Sequence, residues 1–239
     1  MILSETLGAV RQITIDRPEK RNALDLAHYH ALANALEAAG QDESVSVVLL
    51  AGRAPAFCAG VDVAVLKEAN TGEAGAAIAG AAERLFTALD RLPLPLLAAI
   101  DGLAVGLGVT LLGYVDLVLA SPRARFRTPF SALGVAPEAG SSVLLPRRIG
   151  WQNAAWMLFS SEWIDAAEAL ESGLVWRLLP EKNFAATALD LAARIAAQPR
   201  ASLAATKQLL IGWRSADAGE ARRRENTAFA KLLQERRPH

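Results

Sequence analysis

The sequence of 239 residues predicts an α/β fold. Two apolar runs, 45–50 (VSVVLL) and 96–100 (LLAAI), are typical of strands that are covered on both faces. A glycine-bearing turn follows each run, and helical stretches come between the predicted strands. This repetition of strand, turn and helix indicates an α/β architecture, in which helices pack on the faces of a mostly parallel sheet.

The first elements are a strand and a capped helix. Residues 10–15 alternate in a way that predicts a strand with its isoleucines on one face. Asn22 or Asp25 is expected to cap the helix that follows, because short polar side chains accept hydrogen bonds from the first helical N–H groups. Apolar residues recur at helical spacing over 32–39, and Gly40 is expected to end this helix.

The later elements repeat the same order. An alanine-rich helix is expected at 75–92, between the two apolar runs. After the second run, a glycine turn, a helix and a strand at 115–120 follow. Beyond about residue 180 the chain becomes mostly helical, with 190–197 and 202–210 as the clearest helices.

Composition excludes several classes of protein. Hydrophobic residues make up 52% of the chain, which is ample for a large core. Lys and Arg number 25 and so do Asp and Glu, so no overall charge would attract nucleic acid or an anionic membrane. Cys58 is the single cysteine, which rules out an internal disulfide and a cysteine zinc cluster and fits a reducing compartment.

The chain is also expected to lack a membrane span. The stretch 94–113 is strongly apolar, but its prolines, its glycines and Asp101 predict a strand, a turn and a buried helix. Residues 1–5 carry no basic start ahead of an apolar stretch, so we expect no signal peptide and a cytoplasmic location.

Two glycine turns are the features most informative about function. Residues 57–62 read FCAGVD and residues 102–108 read GLAVGLG. Glycine lets backbone N–H groups face a ligand, and two such turns that meet can aim two N–H groups at one oxygen. Taken alone, each turn also fits an ordinary strand ending. A dinucleotide site is disfavoured, because Leu111 stands at the third glycine position of that motif.

These turns, together with 17–24 (RPEKRNAL) and 167–175 (AEALESGLV), resemble the crotonase (enoyl-CoA hydratase/isomerase) superfamily over nearly the whole chain. The resemblance implies a spiral of ββα units over residues 1–185. It also implies a C-terminal helical region, 186–239, that packs on neighbouring subunits in a trimer, often paired into a hexamer.

The resemblance assigns a role to two backbone amides. The N–H groups of Val61 and Leu107 would hold the thioester carbonyl oxygen of an acyl-CoA and stabilise the enolate that forms on it. On residue type alone, Lys20 and Arg21 also fit a solvated surface pair and Asp62 fits a helix cap. The expected contacts with the acyl-CoA are Lys20, Arg21, Ala23, Ala59, Gly60, Asp62, Val63, Gly106, Thr110, Pro129, Phe130 and Leu133.

The acids decide which reaction is expected. Family hydratases carry two glutamates, and this chain has Thr110 and Phe130 at the matching positions. Adding water needs both a base and an acid, and neither residue supplies a carboxyl group. Residues 128–142 (TPFSALGVAPEAGSS) instead resemble the peroxisomal-type Δ3,Δ2-enoyl-CoA isomerases, in which the matching Glu138 is the sole acid and base. By itself, Glu138 also fits an acidic residue at a helix start.

We therefore expect a Δ3,Δ2-enoyl-CoA isomerase-like enzyme in which Glu138 carries a proton from C2 to C4. A hydratase or another crotonase-type activity is the first alternative, and an acyl-CoA-binding pseudoenzyme is the second. CoA belongs to the substrate, so no metal or redox cofactor is implied. The arginine clusters 222–224 and 236–237 fit either a solvated face or contacts with a neighbouring subunit's CoA.

Overall fold

A computed structural model describes residues 1–62, 65, 72–212 and 214–235. The strands are β1 (Ile2–Leu7), β2 (Val10–Ile15), β3 (Val47–Gly52), β4 (Ala56–Cys58), β5 (Leu96–Ile100), β6 (Leu103–Val105), β7 (Leu117–Ala120), β8 (Arg125–Arg127), β9 (Ile164–Asp165) and β10 (Arg177–Leu178). The helices are α1 (Leu26–Gln41), α2 (Gly72–Arg91), α3 (Leu107–Thr110), α4 (Ser141–Ile149), α5 (Trp151–Ser160), α6 (Ala166–Glu171), α7 (Phe184–Ala196), α8 (Arg200–Ile211) and α9 (Arg214–Glu235). Val63 and the 236–237 arginine pair lie outside the described residues.

The strands form two sheets. The larger sheet has the order β1-β2-β3-β5-β7-β10 and the smaller has the order β4-β6-β8-β9. Three successive pairs, β3/β4, β5/β6 and β7/β8, each give their first strand to the larger sheet and their second to the smaller. Neighbouring strands run parallel, except in the pairs β1/β2 and β8/β9. The predicted α/β fold of repeated ββα units is confirmed.

The buried strands of the larger sheet are apolar on both faces because helices cover each face. Val48 and Leu50 of β3 join the core cluster that includes residues of α1 and α2. Val47 and Leu49, on the opposite face, join a second cluster that includes residues of α7. Each fully buried leucine contributes about 1.5–3 kcal/mol relative to an exposed one. This two-sided burial is the reason why the apolar run predicted a strand.

Element boundaries differ from expectation at several points. Asp25 caps α1 and accepts a hydrogen bond from the His28 N–H at 3.0 Å. Gly40 does not end this helix, which continues to Gln41 and is followed by extended Asp42. Asn22, the other predicted cap, is buried instead, and its side chain donates to two carbonyls near β4. Strand β1 was not predicted.

The C-terminal helices are longer than the sequence predicted. The expected boundary between 1–185 and 186–239 falls in the first turn of α7, which packs on the larger sheet of its own chain. Helix α9 packs against α4. Whether this region also joins subunits in a trimer stays a prediction.

Among the described helices, none combines the length and the apolar character that a membrane span needs.

Candidate active site

The two glycine turns meet because the strands that lead into them are neighbours. Strands β4 and β6 run parallel with Cys58 beside Ala104, so both turns leave the same edge of the smaller sheet. A Cβ on Gly60 would lie 2.9 Å from the Val105 carbonyl oxygen, and one on Gly108 would lie 2.2 Å from the Cys58 carbonyl oxygen. Both approaches are too close for any side chain, so glycine is required where the turns touch.

The backbone N–H groups of Val61 and Leu107 have no hydrogen-bond acceptor among the described residues. Leu24 donates to the Gly60 carbonyl and accepts from the Asp62 N–H, each at 2.8 Å, and this bridge leaves the Val61 N–H unused. Leu107 begins α3, where a first-turn N–H has no acceptor within the helix. Within the described chain, neither N–H has a hydrogen-bond partner. Unpaired N–H groups in a packed region are costly, which favours a ligand-binding role.

Arg17 stabilises the first glycine turn, residues 57–62, through contacts with Asp62 and Ala23. Its Nη1 lies 2.9 Å from Asp62 Oδ2 and donates to the Ala23 carbonyl at 3.0 Å. The Ala59 N–H donates to the Arg21 carbonyl at 3.0 Å. The Asp62 carboxylate is buried and paired with Arg17, so it stabilises the turn. Residues 63–64 and 66–71, where Asp62 was expected to cap a helix, lie outside the described residues.

Glu138 lies next to the helix that begins at Leu107. Its Oε1 accepts a hydrogen bond from Thr110 Oγ1 at 2.5 Å, and Thr110 is the last residue of α3. Burial raises the pKa of Glu138 to about 7, the Thr110 hydrogen bond opposes this rise, and the Glu225 charge adds to it. Near neutral pH the carboxyl group therefore populates both of its forms, which suits a group that first accepts a proton and later returns it.

Tyr29 and Cys58 also lie near Glu138, and both stay uncharged. Burial, together with the negative charge of Glu138, raises the pKa of Tyr29 well above its ordinary value. Burial raises the pKa of the Cys58 thiol to about 12. Cys58 is therefore a packed small side chain and a poor nucleophile at neutral pH. The sequence did not predict that Tyr29 lies near Glu138, because a tyrosine on the buried face of a helix follows the same pattern as any core residue.

The remaining predicted contacts lie on two nearby segments. Gly106 donates to the Arg127 carbonyl at 2.8 Å, and this places Pro129 and Phe130, just past β8, beside the second turn. Phe130 is buried, whereas Leu133 is 49% exposed.

Lys20 and Arg21 lie on the surface immediately before the buried residues Asn22 and Ala23. The structure thus brings the two glycine turns into contact and places Glu138 and Thr110 at the helix that begins at Leu107, whereas the basic pair is exposed. Contact of any of these residues with an acyl-CoA stays a prediction.

Of the two alternatives for the cluster 222–224, the solvated face does not hold for Arg222. Its side chain is buried and donates to the Tyr114 hydroxyl oxygen at 2.9 Å. It also forms an ion pair with Glu83 at 2.9 Å. The inward face of α9 carries this arginine because α9 packs against the body of the chain, whereas Arg223 and Arg224 are exposed.

Comparisons with known proteins identify the family of the chain. The family model described as "Enoyl-CoA hydratase/isomerase" matches residues 5–237. "Enoyl-CoA delta isomerase 2" of Rattus norvegicus is 37% identical over 212 residues, which cover 87% of this chain and 54% of that protein. "2,3-dehydroadipyl-CoA hydratase" of Escherichia coli K12 is 37% identical over 198 residues, which cover 83% of this chain and 76% of that protein.

The solved structures show the same fold. A crystal structure of an enoyl-CoA hydratase/isomerase from Pseudoalteromonas atlantica T6c superposes with a TM-score of 0.90 at 32% identity and covers 100% of this chain and 98% of the other. The likeness therefore extends over both sheets and the C-terminal helices. Because the family pattern spans nearly the whole sequence, and the paired glycine turns meet as that pattern requires, the chain belongs to the enoyl-CoA hydratase/isomerase family of the crotonase superfamily.

Proposed function

We propose that the protein moves the double bond of a 3-enoyl-CoA to the 2 position. The observation that carries this proposal is the position of Glu138, whose carboxyl group lies against α3 and is hydrogen-bonded to Thr110. Asp62, the carboxylate near the first turn, is paired with Arg17 and is thus engaged in holding that turn. A double-bond shift needs a single base that both removes and returns a proton, and Glu138 suits that task.

The proposed reaction is a proton transfer through a delocalised enolate. The Glu138 carboxylate takes a proton from C2, and the electron pair of that C–H bond moves toward the thioester carbonyl oxygen. The N–H groups of Val61 and Leu107 donate hydrogen bonds to this oxygen as it gains charge. The Glu138 carboxyl group then returns the proton to C4, which leaves the double bond between C2 and C3. Nothing is oxidised or reduced, so we propose that the reaction needs no cofactor beyond the CoA of the substrate.

Hydration is the second candidate, because relatives of similar identity have names of both kinds. One is called an enoyl-CoA delta isomerase and another a 2,3-dehydroadipyl-CoA hydratase. Thr110 and Phe130, at the positions where family hydratases carry glutamates, favour isomerisation in this chain. The raised pKa of Glu138 favours catalysis over acyl-CoA binding alone, because such shifts concentrate at reacting groups.

The test offers the purified protein a 3-enoyl-CoA and a 2-enoyl-CoA in separate reactions. We expect the conjugated 2-enoyl thioester to appear from the first substrate and no water to add to the second. Formation of a 3-hydroxyacyl-CoA would identify a hydratase instead. Tight acyl-CoA binding without turnover of either substrate would identify a pseudoenzyme.

We also propose that the protein assembles as a homotrimer or a pair of trimers. Large apolar side chains are exposed on helices of the single chain, including Trp151 at 74%, Phe159 at 75% and Leu209 at 85%. Exposed apolar patches of this kind usually mark subunit interfaces. At micromolar concentration, light scattering is expected to give the mass of a trimer or of a pair of trimers. The mass of a single chain would contradict the proposal.

A further inference from the structure

The last helix of the chain holds the turn that follows Glu138. Glu225 of α9 is only 5% exposed, and its two carboxylate oxygens accept hydrogen bonds from two backbone N–H groups. Oε2 accepts from Gly140 at 2.7 Å and Oε1 accepts from Ser142 at 2.8 Å. Gly140 is the cap residue of α4 and has no side chain with which to cap it. The carboxylate of Glu225, 85 residues later in the chain, therefore caps the N-terminus of α4.

A second set of contacts fixes the same turn through Tyr114. The buried Tyr114 hydroxyl donates to the Ala139 carbonyl oxygen at 2.8 Å and accepts from Arg222 Nη1 at 2.9 Å. Arg222 is in turn paired with Glu83 of α2. The backbone immediately after Glu138 is thus tied to α9 at the Ala139 carbonyl and at two N–H groups.

The turn needs such support because of its backbone conformation. Ala139 has φ of +64° and Gly140 has φ of +74°, so two consecutive residues after Glu138 are left-handed. A residue with a Cβ adopts this conformation only where its surroundings fix it. These two residues set the direction in which the chain leaves Glu138, and they join it to the start of α4.

Glu225 also affects the pKa of Glu138. Among the described side chains near Glu138, it is the one that carries a charge at neutral pH. Thr110 of α3 is a hydroxyl, and Tyr29 of α1 and Cys58 of β4 stay protonated at neutral pH. The negative charge of Glu225 disfavours a second negative charge at Glu138 and adds to the effect of burial. Glu225 therefore affects Glu138 in two ways: its hydrogen bonds fix the turn after Glu138, and its charge raises the pKa of the Glu138 carboxyl group.

We propose that Glu225 is a positioning residue for Glu138, since from the last helix it fixes the turn that holds the Glu138 carboxyl group against Thr110. The inference rests on the proposed function, in which Glu138 is the base. It adds a dependence of that base on the C-terminal helix, which lies far from it in sequence.

The kinetic test compares Glu225→Gln with Glu220→Gln. Glutamine keeps the size of Glu225 but turns an NH₂ group toward one of the two N–H donors, so one hydrogen bond is lost and the charge is removed. Glu220 lies on the same helix and is exposed near Arg224, so its variant makes the same chemical change away from the turn. For Glu225→Gln we expect kcat to fall by roughly 10-fold or more, with KM for a 3-enoyl-CoA changed far less. The acid limb of kcat/KM should also move to lower pH, and Glu220→Gln should match the parent in both readouts.

A second readout does not depend on the reaction. The protonated Glu138 carboxyl group gives an infrared band that can be assigned by its absence in Glu138→Gln and titrated in the unliganded protein. We expect the midpoint of this band to move to lower pH in Glu225→Gln and to stay in place in Glu220→Gln. A parent protein that fails to isomerise 3-enoyl-CoA would contradict the proposed function, while this titration would still test Glu225.

A folded Glu225→Gln protein with the kcat and the titration midpoint of the parent would overturn the inference. If that variant does not fold, Glu225→Asp replaces it, because aspartate keeps the charge but is one methylene too short to reach both N–H groups. Glu225→Asp is expected to keep the pH profile of the parent and to lose part of kcat. Unchanged kcat in the folded aspartate variant would equally overturn the positioning role.

Discussion

Glu138→Gln is expected to lower the turnover of 3-enoyl-CoA by on the order of 10²–10⁴-fold, and toward the upper end of that range. The reason is that one carboxyl group would carry out both proton transfers. Glutamine keeps the shape of the side chain, and its amide oxygen can still accept from Thr110, so the site should keep its packing. Binding of acyl-CoA should be largely retained, because most of the affinity would come from contacts with the CoA and the acyl chain.

The pH dependence of the parent tests the same assignment. Burial raises the pKa of Glu138 to about 7, so the carboxyl group is protonated below this value and cannot accept the C2 proton. The value of kcat/KM should therefore fall as the pH drops through about 7, and the residual rate of Glu138→Gln should lack this limb.

Exchange of the C2 proton with deuterated solvent should stop in Glu138→Gln. Glu43→Gln, at an exposed position, makes the same chemical change and should behave like the parent. A folded Glu138→Gln protein that isomerises 3-enoyl-CoA at nearly the parent rate would rule out this mechanism.

The fold was predictable where burial leaves a periodic mark on the sequence. The apolar runs before the two glycine turns predicted buried strands because helices cover both faces of β3 and β5. The short strands β4, β6 and β8 carry no such mark, since each has only three residues. The contact between the two turns depends on the pairing of β4 with β6, and sequence spacing does not encode that pairing. The family resemblance supplied this part of the prediction.

The groups that support Glu138 from a distance were not predictable. Glu225 and Arg222 lie on α9, which is rich in charged residues and has the composition of a solvated helix. Their burial depends on tertiary contacts. Helix α9 packs against α4, Glu225 accepts from the Gly140 N–H, and Arg222 donates to the Tyr114 hydroxyl oxygen. Lys207 of α8 and Arg214 of α9 are also buried, and they form ion pairs with Asp116 and Asp90, respectively. A charge that is neutralised by a partner about a hundred residues away leaves no local pattern.

Leu107→Pro is expected to lower turnover by on the order of 10²–10³-fold, because proline has no N–H to donate to the developing enolate oxygen. Leu107 is the first residue of α3, and the first turn of a helix is where proline is best tolerated, since its missing N–H has no helical acceptor there. The substitution therefore removes the proposed donor at a position where the helix itself does not need it.

Leu107→Ala is the matched control, because it keeps the N–H and removes most of the side chain. The leucine side chain is only 1% exposed, so this variant should lose about 2–5 kcal/mol of unfolding free energy. Its turnover per folded molecule should nevertheless stay close to that of the parent. Thermal unfolding of both variants separates the stability effect from the catalytic one. If the two folded variants lost turnover equally, the side chain or the packing of the turn would be responsible, and the Leu107 N–H would not be the group that stabilises the enolate.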